Sequence, residues 1–346
     1  MELTTVTVDI MSASSQTNIH QLAPFRIDPW ISERPWGFDD LRPWFDIVAG
    51  GAPIGEVWLT GDKSLVATGP HAGKTLEALF AEEHESLLGP EAPSTASPLL
   101  IKVIFAREKL SVQVHPDDAM AQKYGDPRGK TECWYALSAE AGAAVALGLK
   151  PGTTLAQIEK EIHDGTLESS LNVVPVETGD LIFVDAGTVH AIWPGAVLLE
   201  TQQNCDITYR MFDYGRPREL HIEKSLEALK FETRAGKIKS KEWVDRTVLI
   251  DVDYFRVERV PVFSIRTSEN LSWPTERSCL QYLFAAGGSG RLVSEEFAPL
   301  DLATRSIVCV PAASPQFVLE DRGDLDLIRI TPNWPELAHN GPELAQ

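Results

Sequence analysis

The chain has 346 residues and a formal net charge of −19, because 50 acidic residues outnumber 31 basic ones. This balance argues against nucleic acid and against an anionic membrane surface, since both are bound through clustered lysine and arginine. A hydrophobic content of 43% with 23% charged residues is typical of a globular chain of two domains or one large one. No apolar run approaches the 18 residues of a transmembrane helix.

The N-terminal segment lacks both a basic start and a continuous apolar stretch, so we expect no signal peptide. Residues 1–22 are predicted to form a flexible tail rich in serine and threonine. The chain has four cysteines and no CxxC pair, which favours a reduced, cytoplasmic location.

Short apolar segments, separated by proline and glycine every ten or so residues, predict a chain built mostly of strands. The predicted strands are 53–60, 99–105, 111–115, 131–137, 143–149, 181–184, 196–201, 207–214, 254–260, 281–285, 306–310 and 325–331. Apolar residues at helical spacing predict helices over 75–88 and 154–164, and a third short helix is predicted over 222–229.

Residues 231–245 are rich in lysine and arginine and poor in large apolar residues, which predicts a linker. It would divide a larger unit, residues 23–230, from a C-terminal unit of short strands, residues 246–346. The glycine cluster at 287–290 has neither the lysine nor the strand–loop–helix context of a phosphate-binding loop. It is predicted as a hairpin turn.

Polar side chains alternate along the predicted strand 110–115, so Ser111, Gln113 and His115 would share one face. A hydrated edge strand would give the same pattern. Lys130 and Glu132 share a strand face, either as a surface salt bridge or as a metal ligand with an acid–base neighbour. His190 follows a glycine turn after an apolar strand, although a lone histidine is more often structural.

Together Gln113, His115, Glu132 and His190 supply two nitrogen and two oxygen donors from separate strands. Two neutral imidazoles with a carboxylate suit Zn²⁺, and the glutamine adds a neutral oxygen. Their spacing is not that of a short metal motif. If residues 200–213 form a strand, Asp206 and Arg210 face one way, as a structural ion pair or as part of a pocket lining.

These segments together resemble the zinc-dependent mannose-6-phosphate isomerases of the type I group, in their shorter bacterial form. The matching segments are 34–37, 55–58, 100–102, 110–118, 129–132, 179–180, 186–190 and 202–210, in the family's order. The likeness is strong over about residues 30–225, whereas the C-terminal unit matches only in general shape. Phe38 stands where the family often has a second glycine, which puts the shape of that loop in doubt.

The resemblance implies two cupin (jelly-roll) β-barrels with a few peripheral helices. It implies one Zn²⁺ per chain, held by Gln113, His115, Glu132 and His190. The activity implied is interconversion of mannose 6-phosphate and fructose 6-phosphate through a cis-enediol(ate). The C-terminal barrel would carry no metal, because its only histidine is His339, near the end of the chain.

In such a reaction a metal acts as a Lewis acid on the sugar oxygens while a base moves a proton between C2 and C1. Lys130 and Asp206 are candidates for that base, with a metal-bound hydroxide or a histidine-linked water as alternatives. Arg210 would stabilise the enediolate or hold the substrate. The candidate substrate-binding residues are the hydroxyl donor Ser111 and the phosphate-binding cations Arg34, Lys102, Arg216 and Arg218.

Two other classes of function remain open at this point. One is an isomerase for a different sugar phosphate or for free mannose. The other is a non-catalytic cupin, either a sugar sensor or a storage protein, although Lys130, Asp206 and Arg210 beside the ligand set disfavour it. A monomer and a homodimer are both compatible with the sequence.

Overall fold

The computed structural model describes residues 20–90, 92–260 and 279–334. Most of the predicted N-terminal tail and His339 lie outside the described residues. Strands dominate the described ranges and helices are few, which confirms the mostly β class. The strands are β1 Phe25–Asp28, β2 Trp30–Phe38, β3 Ile54–Trp58, β4 Leu65–Val66, β5 Leu99–Phe105, β6 Val112–Val114, β7 Glu132–Ala139, β8 Ala144–Leu149, β9 Leu171–Pro175, β10 Leu181–Val184, β11 His190–Ile192, β12 Ala196–Gln203, β13 Tyr209–Phe212, β14 Gly236–Lys237, β15 Lys241–Glu242, β16 Thr247–Asp251, β17 Phe255–Val260, β18 Gln281–Val293, β19 Leu300–Leu302, β20 Ile307–Val310 and β21 Val318–Pro332.

Short polar side chains cap the first three of the four described α-helices. The α-helices are α1 Leu76–Leu88, α2 Asp118–Lys123, α3 Leu155–Asp164 and α4 Ile222–Ala228, with a 3₁₀ turn at Leu167–Ser170. Thr75 accepts a hydrogen bond from the Ala78 amide and Thr154 accepts one from the Gln157 amide. The predicted boundaries of α1, α3 and α4 agree with the observed ones to within a residue. Sequence reasoning missed α2, which at six residues is too short for a helical period.

The strands of the described residues form three antiparallel sheets. The nine-stranded sheet has the order β15-β16-β17-β21-β18-β20-β1-β4, with β19 paired to β18. The seven-stranded sheet has the order β14-β10-β7-β12-β5-β3-β2, and the five-stranded sheet the order β13-β6-β11-β8-β9. The second and third sheets hold several of the predicted site residues, namely Arg34, Lys102, Gln113, Glu132, His190 and Arg210.

Strands from the two sides of the predicted linker pair with each other. β1 pairs with β20, Phe25 facing Cys309, so an N-terminal strand lies in the sheet of the C-terminal unit. Within the predicted linker itself, β14 pairs with β10 and β15 pairs with β16. One cluster of buried apolar side chains also includes residues from both units, such as Val57 and Phe284. The division into units therefore stays a prediction.

The glycine cluster is a correction to the sequence analysis, because it is not a turn. Residues 287–290 lie inside the thirteen-residue strand β18, where its pairing with β21 shifts register three times. Gly288 has φ +63°, and a Cβ added there would lie 2.2 Å from the Asp324 carbonyl oxygen. Glycine is needed here for two reasons. The bulge brings the backbone of residue 288 close to that of Asp324, and the φ of residue 288 lies in the left-handed region that favours glycine.

Among the described helices, none combines the length and apolar character needed to cross a membrane.

Candidate active site

Three of the predicted site residues lie side by side because of strand register. Gln113 is the central residue of β6 and faces His190 of β11 on one side and Arg210 of β13 on the other. Directly opposed residues of antiparallel strands project from the same face of the sheet. One row across the five-stranded sheet therefore carries an imidazole, an amide and a guanidinium.

The other two metal-ligand candidates reach the same point from either side. His115 follows β6 directly, and Glu132 begins β7 of the seven-stranded sheet. Glu132 Oε2 lies 3.6 Å from His115 Nε2, and Glu132 Oε1 lies 3.6 Å from His190 Nε2. One donor atom from each of these three residues lies within 4.8 Å of the others. The predicted convergence of His115, Glu132 and His190 is thus observed.

The three side chains are buried, and two of them, Glu132 and His115, are poorly satisfied by hydrogen bonds within the protein itself. Glu132 has no exposed surface, and both histidines are about 1% exposed. Within the described residues, both carboxylate oxygens of Glu132 and both ring nitrogens of His115 lack a hydrogen-bond partner of good geometry. Unsatisfied buried polar atoms are costly unless another group completes them. Converging donors of this kind fit a divalent metal ion.

Both imidazoles are held in the form that binds a metal. Burial, reinforced by the positive charge of Lys130, lowers the pKa of His115 well below its usual value. Burial also lowers the pKa of His190. His190 Nδ1 lies 2.9 Å from the Thr188 carbonyl oxygen, and donation to that oxygen leaves a lone pair on Nε2, the nitrogen near Glu132 and Gln113. Neutral rings with an available lone pair are the usual histidine ligands.

Gln113 joins this group through its amide. Its Nε2 lies 3.2 Å from His190 Nε2, and its Oε1 accepts a hydrogen bond from the Ser111 hydroxyl at 3.1 Å. Turning the amide over would direct Oε1 at the histidine and Nε2 at Ser111, which can also accept a hydrogen bond. Gln113 can therefore serve as a fourth, oxygen ligand. Ser111 is buried behind it rather than on the surface of the pocket.

A pocket of about 440 Å³ opens above Glu132 and Gln113. Lys130 lies on its wall, almost completely buried, with its Nζ 3.0 Å from Glu132 Oε2. Asp206 and Arg210 line the pocket too, although residues 204–208 form a loop rather than the expected strand. Arg210 Nη1 donates to the Glu219 carbonyl oxygen at 2.8 Å. The three predicted catalytic residues are therefore together.

Lys102 is part of a buried charge network in the pocket wall. It faces Glu200 across paired strands β5 and β12, and its Nζ lies 2.8 Å from Glu200 Oε2 and 3.8 Å from Glu56 Oε1. Trp134 donates to Glu200 and Trp58 donates to Glu56, so both carboxylates are held from a second side. Burial lowers the pKa of Lys102, and the negative charge of Glu56 opposes that effect.

The arginine candidates for phosphate binding separate into two groups. Arg34 and Arg218 line the pocket and flank the Trp36 ring, 5.9 and 5.0 Å from its centre. Each also has an acidic partner, Glu56 for Arg34 and Asp213 for Arg218. Arg216 is outside the pocket lining and is bound to Asp213, Glu108 and the Lys109 carbonyl oxygen.

Sequence reasoning did not assign the two buried acids of this pocket, Glu56 and Glu200. A signal was available, since each is a charged residue inside a largely buried strand, and Glu200 directly follows four apolar residues. A charge placed so is rarely left unpaired in a folded protein.

Fold and site together define a mostly β protein with a buried His–Glu–His metal-type centre below a charged pocket. A family model described as phosphomannose isomerase type I, catalytic domain, matches residues 26–147. A mannose-6-phosphate isomerase of Streptococcus mutans is 36% identical over 247 residues, which are 68% of this chain and 77% of that protein. The chain therefore belongs to the type I phosphomannose isomerase family, and the resemblance seen in the sequence is confirmed.

Solved structures agree with that assignment. The crystal structure of the mannose 6-phosphate isomerase from Bacillus subtilis matches with a TM-score of 0.78 and 30% identity, covering 89% of this chain and 99% of that one. A crystal structure of a mannose 6-phosphate isomerase bound with zinc and yttrium has the same fold, with a TM-score of 0.70 and 18% identity. It covers 90% of this chain and 100% of that one.

Proposed function

We propose that this chain is a zinc-dependent aldose–ketose isomerase that interconverts mannose 6-phosphate and fructose 6-phosphate. The observation that carries the proposal is the buried His115, Glu132 and His190 centre beneath a pocket lined with arginine and lysine. Family membership supports the same substrate pair, since the related proteins carry this name. The reaction moves a proton between C2 and C1 of the sugar through a cis-enediol(ate).

One zinc ion per chain would be held by His115, Glu132 and His190, with Gln113 as a fourth ligand. Zinc is favoured over harder cations because imidazole nitrogen contributes two of the donors. A related structure bound with zinc agrees with this choice. When bound, the ion would supply Lewis-acid stabilisation of negative charge on the sugar oxygens.

Lys130, Asp206 and Arg210 are the proposed catalytic residues. Lys130 and Asp206 are the two proposed proton-transfer groups, one buried beside Glu132 and the other exposed on the pocket lining. Arg210 remains a cation at any physiological pH, and its position next to Gln113 in the row suits stabilisation of an enediolate. Comparing Lys130→Ala with Asp206→Ala in single-turnover proton exchange identifies the base.

The phosphate group would bind at the Arg34 and Arg218 end of the pocket, where two guanidinium groups flank Trp36. Lys102 and Ser111 complete the proposed substrate-binding set from behind. Lys102 adds positive charge to the wall through its network, and Ser111 orients Gln113.

The finer architecture is part of the proposal. The sheets would form two cupin barrels, a catalytic unit over 23–230 and a C-terminal unit over 246–346 without metal, joined by a linker at 231–245. In this arrangement β1 contributes to the C-terminal barrel through its pairing with β20. We further propose a cytoplasmic enzyme, supported by buried thiols at Cys133 and Cys309, acting as a monomer or homodimer. Its partner is a small sugar phosphate rather than nucleic acid or a membrane.

The decisive experiment measures isomerisation and zinc content of the purified protein together. The proposal expects turnover of mannose 6-phosphate in a coupled assay, about one zinc per chain, and loss of turnover on chelation with recovery on zinc addition. A panel with other aldose phosphates and free mannose tests specificity. A metal-replete protein that leaves mannose 6-phosphate unchanged would overturn the proposal, and a faster turnover of another sugar phosphate would overturn its substrate.

A further inference from the structure

The segment that carries Lys130 and Glu132 is held by hydrogen bonds from three consecutive backbone amides. The Gly129 amide donates to Asp118 Oδ1 at 2.7 Å, the Lys130 amide to the Pro116 carbonyl oxygen at 3.0 Å, and the Thr131 amide to Gln203 Oε1 at 2.9 Å. A Cβ added at Gly129 would lie 2.4 Å from the Asp117 carbonyl carbon. The segment is therefore pressed closely against the start of α2.

The Asp118 carboxylate takes part in two of these three contacts, directly at Gly129 and through Gln203 at Thr131. Its Oδ1 accepts from the Gly129 amide and also from Gln203 Nε2 at 3.0 Å, while its Oδ2 accepts from the Tyr254 hydroxyl at 2.7 Å. A carboxylate bound by three donors on both oxygens has one permitted orientation. The direction of the Gly129 amide thus depends on how this carboxylate is held.

Tyr254 reaches Asp118 from the predicted C-terminal unit, 136 residues further along the chain. It immediately precedes β17, and its carbonyl oxygen accepts from the Asn333 amide at 2.9 Å. Asn333 Nδ2 in turn donates to the Val252 carbonyl oxygen at 2.7 Å. The Tyr254 hydroxyl therefore comes from a turn that is held by two hydrogen bonds. Burial and the bond to Asp118 raise the pKa of Tyr254, so the hydroxyl keeps its proton as a donor.

We propose that Tyr254 is a positioning residue for catalysis, acting through Asp118 on the 129–132 segment that holds Lys130 and Glu132. This inference rests on the proposed isomerase function. It assigns the C-terminal unit a part in the reaction without contact to substrate: it sets the geometry of the site. Small displacements of catalytic groups are known to reduce rates strongly even when the fold is kept.

The test is Tyr254→Phe, which removes one hydroxyl and little volume. Tyr124→Phe is the matched control, because Tyr124 also donates to a carboxylate, that of Glu227, on the outer surface. We expect Tyr254→Phe to lower kcat roughly tenfold with KM within about twofold, and Tyr124→Phe to leave both unchanged. In metal-free protein, amide exchange over residues 129–131 should be roughly tenfold faster in Tyr254→Phe than in wild type.

A cycle with Asp118→Ala shows whether the effect passes through the carboxylate. The double variant should then be no slower than Asp118→Ala alone, since the bond is already absent. An unchanged kcat in Tyr254→Phe, or additive losses in the cycle, would overturn the inference. So would a lowered melting temperature with normal kcat and normal exchange at 129–131, which marks a purely structural role. Failure of the proposed function is distinguishable, because wild-type protein would then be inactive while the exchange measurement is still informative.

Discussion

Gln113 and His190 face each other across β6 and β11, with their Nε2 atoms 3.2 Å apart. Each is a polar residue in a short strand. Val112 precedes Gln113 and Val189 precedes His190, and both valines pack in one apolar cluster. Because register alone brings them together, these two candidate ligands are part of the sheet and not of a loop. A site built on strands is rigid, which suits a reaction that needs fixed donors around a small sugar.

Removal of a histidine from the proposed ligand set should weaken metal binding strongly while keeping the fold. His190→Ala is expected to lower zinc affinity roughly 100-fold or more, because the remaining donors no longer close around the ion. His163→Ala is the control, since that histidine is on the exposed face of α3. Metal analysis after dialysis against a chelator measures both. Equal zinc retention in the two variants would contradict the assignment of His190.

Arg210→Ala separates catalysis from metal binding. Its guanidinium borders the pocket beside Gln113, so its loss should lower kcat by roughly 100- to 1,000-fold, as for other groups that stabilise a developing oxyanion. Zinc content should stay near that of wild type, and Arg210→Lys should recover part of the rate. Steady-state kinetics with parallel metal analysis check this. Loss of zinc would instead assign Arg210 a structural role.

Two neighbouring arginines allow a direct test of the phosphate end of the pocket. Both Arg216 and Arg218 bind Asp213, but only Arg218 is part of the pocket lining. Arg218→Ala should raise KM for mannose 6-phosphate roughly tenfold, the loss of one charge-assisted contact. Arg216→Ala should change KM by less than about twofold, because this variant retains Arg218. The reverse order of effects would place the phosphate elsewhere.

The stability of the metal-free protein should fall with acidity, in part because of His115. Burial holds the folded-state pKa of His115 well below its usual value of 6.5. Below about pH 6.5 the unfolded chain therefore binds a proton that the folded chain excludes, which costs at most about 1.4 kcal/mol per pH unit. His115→Gln should reduce the loss of stability between pH 7 and pH 5 in urea unfolding. The exposed control His163→Gln should not.

Lys102 should be needed for folding stability rather than for substrate contact alone. Lys102→Met removes the cation beside buried Glu200 and leaves Glu56 with Arg34 alone, a change that typically costs about 3–5 kcal/mol. The surface control Lys74→Met, which separates Lys74 from Glu82, should cost less than about 1 kcal/mol. Urea unfolding of the metal-free variants measures the difference. Similar losses in both would argue against a buried network.

The sequence determined the local features of this protein. Apolar residues at helical spacing were enough to predict α1 and α3, and alternation with proline and glycine breaks was enough for the mostly β class. These signals are local, and local backbone preference suffices to produce them. The candidate ligands Gln113, His115, Glu132 and His190 were proposed from the resemblance, because their spacing is not that of a short metal motif.

Tertiary structure alone decided which of the charged residues act together. Lys102 and Glu200 are 98 residues apart, and only the register of β5 against β12 sets one opposite the other. The same is true of β1 in the sheet of β20, of Gly288 in a bulge instead of a turn, and of Tyr254 on Asp118. Strand pairing joins distant segments through backbone N–H and C=O groups, which nearly all residues share. The sequence of one strand therefore does not specify which other strand it pairs with.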